Sequence, residues 1–514
     1  MYLTQGLHRA VQHHPNRPAT IHGDRIRTYA ESAQRVAKLA GALRSIGVQR
    51  GDRVAMLALN SDRYHEYLLA VPWADAVLNP LNIRWSAAEI GYALTDSQTD
   101  VLFVDDAFSA LVPALRSSCP HLRYVIHCGD GPTPAGMLPY EELVASGSPG
   151  DDIRRSGDQI AGIFYTGGTT GLPKGVMLSH ANLVTSSLGM LSVGSFLGDG
   201  ARLLHVAPLF HLADLATWAA QTALGGTHVM LSTFNPEDIL TAVEQQRITD
   251  VLLVPTMLQL VVDHPRVDQF DLSSLTNVMY GASPISEAVL TRAMRALPGV
   301  RFMQGYGMTE LSPLATVLRP EDHADPELLR SAGRAAPCVE VKIVGPDDRE
   351  LPRGDTGEVA VRGGNVMLGY WNKPEETSAA LRGGWMHTGD AGYMDEQGYV
   401  FVVDRLKDMI ISGGENVYST EVENVLADHP AVAACAVIGL PDENWGERVH
   451  AVVVLANDHT TTAQDLRQFC RDRIAGYKAP RTASFVDALP LSGAGKVLKR
   501  ELRNQLQSQS AAQA

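Results

Sequence analysis

The chain has 514 residues, 45% of them apolar, and a formal net charge of −14 at pH 7. Chains beyond about 250–300 residues outgrow a single core, so more than one domain is expected. The acidic balance excludes a phosphate-backbone-binding surface and a polybasic membrane anchor, so no nucleic-acid partner is expected.

In chain order, the first eighteen residues, "MYLTQGLHRAVQHHPNRP", lack the apolar core and cleavage site of a signal peptide. No run of about 18 apolar residues follows anywhere, so no membrane span is expected and the expected location is cytoplasmic. Residues 29–47 place Val36, Leu39, Ala40, Leu43 and Ile46 at helical spacing, and Gly47 closes that helix. "DRVAMLAL" (52–59), "VLFVDD" (101–106), "YVIHC" (124–128) and "IAGIFYT" (160–166) read as buried strands. The alternation resumes with strand-like "LLHVAP", "HVMLS", "DVLLVP" and "NVMYGAS". Between them lie helix-like "PEDILTAVEQQR" and "ISEAVLTRAMRAL", the first opening on a proline where helices tolerate one. This pattern predicts an α/β fold: a large N-terminal domain of layered, mostly parallel sheets.

Near residue 338 the texture changes to short strands with turn residues, which predicts a small β subdomain. The charged cluster 404–408 marks a boundary. Beyond it, a helix from Ser419, strands "AACAVIGL" and "HAVVVLA" and a helix near Thr462 make a small α+β domain, with a frayed tail "QSQSAAQA". The expected divisions are 1–403, 404–408 and 409–514. Cys119, Cys128, Cys338, Cys435 and Cys470 form no CxxC pair and read as reduced thiols.

The stretch "YTGGTTGLPKGV" (165–176) packs four glycines, three threonines and one lysine into twelve residues. A Walker loop needs Gly before its lysine and Ser or Thr after it. Here Pro173 precedes Lys174 and Gly175 follows, so the hydroxyl that would hold magnesium is missing. What remains is a glycine-rich turn whose amides converge on an anion, with hydroxyls at Thr166, Thr169 and Thr170 and a mobile charge at Lys174.

Four further motifs follow in order: "GYGMTE" (305–310), "HTGD" (387–390), "DRLKDMIISGGENVY" (404–418) and "PLSGAGKVLKRELR" (490–503). With the loop, they make the chain resemble the adenylate-forming enzymes, the superfamily of acyl-CoA synthetases, aryl-CoA ligases, firefly-type luciferases and peptide-synthetase adenylation domains. The resemblance runs from about residue 8 to residue 503. It implies that a carboxylic acid reacts with ATP to give acyl-AMP and pyrophosphate, after which a thiol, normally that of CoA, displaces AMP. It also implies Mg2+, a small mobile C-terminal domain, and an enzyme holding two anions together by electrostatic compensation.

The roles implied are specific. Thr166, Gly167, Gly168, Thr169, Thr170, Gly171 and Lys174 would cradle the departing phosphates. Relatives often carry Ser where this chain has Gly167, which loses one hydroxyl but keeps the amide. Gly281, Ala282 and Ser283 would lie along adenine, small enough for close backbone approach, and Tyr306 would pack on the base. Thr309 would donate to the α-phosphate or the substrate carboxylate, and Glu310 would hold Mg2+, a hard ion suited to carboxylate and phosphate oxygens. Asp390 would accept from the ribose hydroxyls, with Arg405 as the nearby cation. Lys496 would bridge the attacking carboxylate and the α-phosphate. Because CoA must later reach the same carbon, the C-terminal domain would rotate about Lys407, and Ser412, Gly413, Gly414 and Glu415 would then replace Lys496 and line the thiol tunnel. Acylation of Lys496 would erase its charge and switch adenylation off.

In "APLFHLADLATW" (207–218), His211 follows Phe210 where amino-acid-activating relatives place an Asp. That argues for an acid without an amine and puts His211 at the edge of the acyl pocket and thiol tunnel. Medium- or long-chain fatty acids are the leading expectation, and cinnamate-, ferulate- or benzoate-like aryl acids the alternative. A module loading a separate carrier protein is the reading of another class, since "LGGTH" (224–228) lacks the modifiable serine of a carrier. Oligomeric state is left open, a homodimer being one expectation.

Overall fold

The computed structural model describes all residues except 168–171, 195, 414, 443–444, 457–458, 492–496 and 514, with side chains through residue 507. Among the described residues, four sheets form. The largest has the spatial order Arg334–Ala335, Leu314–Leu318, Arg301–Gly307, Asn277–Gly281, Asp250–Leu253, Arg202–His205, Thr227–Met230, Pro18–His22 and Arg25–Thr28. Its central strands are parallel, and antiparallel strands close both edges. The second runs Gly369–Tyr370, Lys174–Ser179, Ile160–Thr166, Val77–Pro80, Arg53–Leu57, Val101–Val104, Tyr124–His127 and Leu138–Pro139. Val101–Val104 and Asp250–Leu253 are buried at every residue, as strands covered on both faces must be.

The two parallel sheets sandwich helices. Asp62–Trp73 is buried along its whole length, and Trp218 of helix Leu212–Leu224 donates through Nε1 to His65 Nδ1 at 2.9 Å. Local chemistry fixes the helix starts. The Thr28 and Ser179 side chains each accept an amide three residues on, in reciprocal capping boxes, and Asn235 caps the helix that opens on Pro236. The expected stop at Gly47 is realised: the helix ends at Ser45 and Gly47 has φ of +94°.

The small β subdomain is an antiparallel sheet of Val339–Val344, Gly357–Gly363, Met386–Met394 and Val400–Arg405. The C-terminal sheet pairs Val432–Asp442 with Gly446–Leu455 as a long hairpin, flanked by Ile410–Ser412, Glu415–Val417 and Thr482–Phe485. It has its own core, in which Val422, Leu426, Val437, Val453 and Leu466 pack together. One expectation is corrected. The polar tail does not fray at residue 507, because helix Lys499–Gln513 runs through it. Polarity suggested fraying, but Gln and Ala are good helix formers and no glycine or proline breaks the run.

Candidate active site

The motif residues gather where three sheets meet. In the nine-stranded sheet, Asn277–Gly281 and Arg301–Gly307 run side by side with Gly281 opposite Gly305. A Cβ on Gly281 would stand 2.3 Å from the Gly305 carbonyl oxygen. The close approach this glycine allows is therefore to the neighbouring strand. Ala282 follows in the left-handed region, at φ +65°, and turns the chain out of the sheet to the half-buried Ser283.

Tyr306, at the end of the adjacent strand, donates its hydroxyl to Asp390 Oδ2 at 2.6 Å. Arg405 Nε meets the other oxygen, Oδ1, at 2.5 Å, and Asp390 and Arg405 are direct cross-strand partners in the small β subdomain. Burial and then the Asp390 charge push the Tyr306 phenol well above its ordinary range, so it remains a donor. Asp390 is 3% exposed. Each of its oxygens has a second lone pair beyond the bonds just named, so it can still accept from a diol.

Glu310 sits in the single turn Thr309–Leu311 and is 6% exposed. Thr309, beside it, is half-buried. The buried Asn365 braces this turn, its Nδ2 donating to the carbonyls of Leu311 at 2.9 Å and Leu314 at 2.6 Å. The Tyr370 hydroxyl donates to Glu310 Oε1 at 2.9 Å. Lys174 opens its strand directly opposite Thr166, and its Nζ lies 5.0 Å from the centroid of the same Tyr370 ring. Contacts thus lead from Lys174 through Tyr370 to Glu310, and a strand end away from Tyr306 to Asp390 and Arg405.

The glycine-rich stretch follows strand Ile160–Thr166 and precedes its antiparallel partner Lys174–Ser179. A Cβ on Gly167 would meet nothing within 4 Å among the described residues. Gly168, Thr169, Thr170, Gly171, Gly414 and Lys496 lie outside the described residues.

His211 is the N-cap of helix Leu212–Leu224, its Nδ1 accepting from Ala213 N–H at 3.3 Å. In the neutral ring the proton therefore sits on Nε2. The loop leading to it is clamped by buried Asn60, which donates to the Ala207 carbonyl at 2.8 Å and accepts from Leu209 N–H at 2.9 Å. Ser412, Gly413 and Glu415 lie elsewhere, in a tight hairpin of the C-terminal sheet where Gly413 N–H donates to the Trp445 carbonyl at 2.8 Å. Lys407 is exposed between the last strand of the small β subdomain and the first of that sheet. Tyr370, Asn365 and Asn60 were not singled out by motif. The signal for Tyr370 was a "GYW" triplet, too short to be read without knowing what lies across from it.

A Mg2+ ion bound chiefly by nucleotide phosphates needs only one or two protein carboxylates. The single buried carboxylate of Glu310 suits that demand, and no cluster of three His, Cys, Asp or Glu that could cage an ion exists among the described residues. No described helix is long and apolar enough to cross a membrane.

The family model described as "AMP-binding enzyme" matches residues 7–371, and that of the "AMP-binding enzyme C-terminal domain" matches residues 421–496. The chain is 43% identical to a feruloyl-CoA synthase of Amycolatopsis over 95% of its length and 96% of that protein's. It is 37% identical to a fatty acid–[acyl-carrier-protein] ligase, ScoC, of Streptomyces coeruleorubidus, covering 98% and 96%. Among solved structures, ATP-bound MatB of Rhodopseudomonas palustris superposes with a TM-score of 0.89 at 31% identity, over 98% of this chain and 99% of that one. The chain belongs to the AMP-binding enzymes and is an AMP-forming acid–thiol ligase of the acyl-CoA synthetase type, working with ATP, Mg2+ and CoA.

Proposed function

We propose that the acid is aryl, of the hydroxycinnamate kind, and that the product is its CoA thioester. The similarity to a feruloyl-CoA synthase along nearly the whole chain carries this reading of the substrate. It reverses the order in which sequence alone ranked fatty and aryl acids. The segment beside His211 is compatible with it. Ala213, Ala216 and Ala220 present small side chains at helical spacing toward an apolar cluster with Met279, Met303 and Leu314. Fatty acids, with a carrier protein as acceptor, are the second reading, supported by the likeness to ScoC.

In the first step the ammonium of Lys174 and the amides of the glycine-rich turn hold the β- and γ-phosphates that leave as pyrophosphate. Tyr306, fixed through its hydroxyl, presents its ring to adenine, and Gly281, Ala282 and Ser283 line the base edge. Asp390 accepts from the ribose hydroxyls and Arg405 balances its charge. Glu310 would hold the magnesium ion, which would supply charge neutralisation at the phosphates, and Thr309 donates to the α-phosphate or the acid. Lys496 bridges carboxylate and phosphate as charge develops. In the second step the segment 409–514 turns about 404–408. Ser412, Gly413, Gly414 and Glu415 then replace Lys496, and His211 borders the thiol path.

A panel of acids scored by pyrophosphate release, with CoA supplied or omitted, tests the substrate. Ferulate or cinnamate should exceed decanoate and palmitate in kcat/KM, and the reverse order would select the second reading. Lys496→Ala should abolish pyrophosphate release yet spare thioester formation from supplied acyl-AMP, and Lys496 acetylation should copy it. Equal loss of both half-reactions would refute that role.

A further inference from the structure

We infer that Tyr370 is a positioning residue for nucleotide activation, setting the spacing between the Glu310 carboxylate and the Lys174 ammonium. This rests on the reading that those two groups face metal and phosphate. One ring serves both: its hydroxyl donates to Glu310 Oε1 at 2.9 Å, and Lys174 Nζ lies 5.0 Å from its centroid.

The backbone that carries the ring is held on both sides. Tyr370 pairs with Val176, two residues beyond Lys174, and Trp371 N–H donates to the Gly175 carbonyl at 2.7 Å. Tyr370 N–H donates to Thr377 Oγ1 at 2.9 Å, and Thr377 Oγ1 donates to the Lys373 carbonyl at 2.7 Å. Gly369, at φ +143°, leaves room for Thr377, whose Cγ2 would lie 2.7 Å from any Cβ there. On the other side, Met367 N–H donates to the Glu310 carbonyl at 2.9 Å. A segment of five residues, 367–371, therefore ties the strand of the phosphate-loop lysine to the turn of the acidic residue.

The chemistry suits positioning. The two charges that meet the nucleotide have opposite sign, and direct pairing would neutralise both. An aromatic face attracts the ammonium while the phenol edge donates to the carboxylate. Neither interaction consumes the charge.

The test uses the full-length protein and three readouts: calorimetric ATP binding at varied Mg2+, pyrophosphate release with acid, and thioester formation from supplied acyl-AMP and CoA. Tyr370→Phe removes the hydroxyl and keeps the ring. It should raise the half-saturating Mg2+ for ATP binding about tenfold or more, the loss of one charge-assisted hydrogen bond. Adenylation should slow in parallel, while the thioester step stays within about twofold. Tyr370→Leu should weaken ATP binding by roughly a further three- to thirtyfold through loss of the cation–π contact. Wild-type Mg2+ dependence in Tyr370→Phe, or equal loss of both half-reactions, would overturn the inference. If wild type bound ATP with Mg2+ but activated no acid, the functional reading would fail and the binding comparison would still decide Tyr370's role. Failure to bind ATP at all would overturn both.

Discussion

At Asp390 the protein's own contacts fix a carboxylate that is proposed to meet the ribose. Its oxygens are held at 2.5 and 2.6 Å by Arg405 and Tyr306, which lock the side chain before any nucleotide arrives. A ribose bound as proposed would meet an acceptor that has no rotamer entropy left to lose. Asp390→Asn keeps the shape but halves the acceptor capacity and leaves Arg405 without its charge partner. ATP affinity should fall about tenfold or more, the value of a hydrogen bond to a charged group. Nucleotide titration of the variant checks it. A change below twofold would mean that Asp390 serves the protein's own network rather than the ribose.

Among the elements, the link between the two C-terminal sheets is the most informative. Leu406 N–H donates to the Gly389 carbonyl at 2.9 Å, on the N-terminal side of the link. Two residues later, Asp408 accepts from Arg503 Nη2 at 2.9 Å, on the C-terminal side. Asp404 meanwhile accepts from Ser419 Oγ at 2.6 Å, at the first residue of helix Ser419–Ala427, where a carboxylate is favoured by the exposed amides. Lys407 lies between the Leu406 and Asp408 ties, which supports the proposal that backbone rotation centres there. Proline fixes φ near −65° and restricts the residue before it. Lys407→Pro should therefore uncouple the half-reactions: one is kept within about threefold while the other falls at least about tenfold, as expected when a gating motion is blocked. Separate assays of adenylation and of thioester formation decide it, and equal effects on both would place the pivot elsewhere.

At the scale of the whole molecule, buried histidines set the acid limit. Burial lowers His65 and His180 to about 3 and His450 to about 4, and drives His228 well below its ordinary value. In the unfolded chain each titrates near about 6.5. Below that pH the unfolded state binds protons that the native state refuses, so stability rises with pH and is lost as pH falls. The slope is on the order of 1.4 kcal/mol per pH unit for each such histidine. The urea midpoint should be flat near pH 7–8 and fall steadily from about pH 6.5 toward pH 4. A midpoint unchanged between pH 7 and 5 would show that these rings are not excluded from protonation.

Much of this architecture could be read before folding, and the boundary has a physical cause. Strand runs such as "VLFVDD", the stop at Gly47 and the start at Pro236 depend on neighbours within a few residues, so the linear chain displays them. The glycine-rich stretch stood out for the same reason, whereas "GYGMTE" was read only through the family resemblance. The reason for Gly281 could not, because the atom it must avoid belongs to Gly305 on another strand. Asn365 and Tyr370 stayed hidden because their partners, Leu311 and Glu310, lie more than fifty residues away. A side chain's meaning is local when its partner is local. It becomes visible only in the folded chain when burial and distant pairing supply the partner.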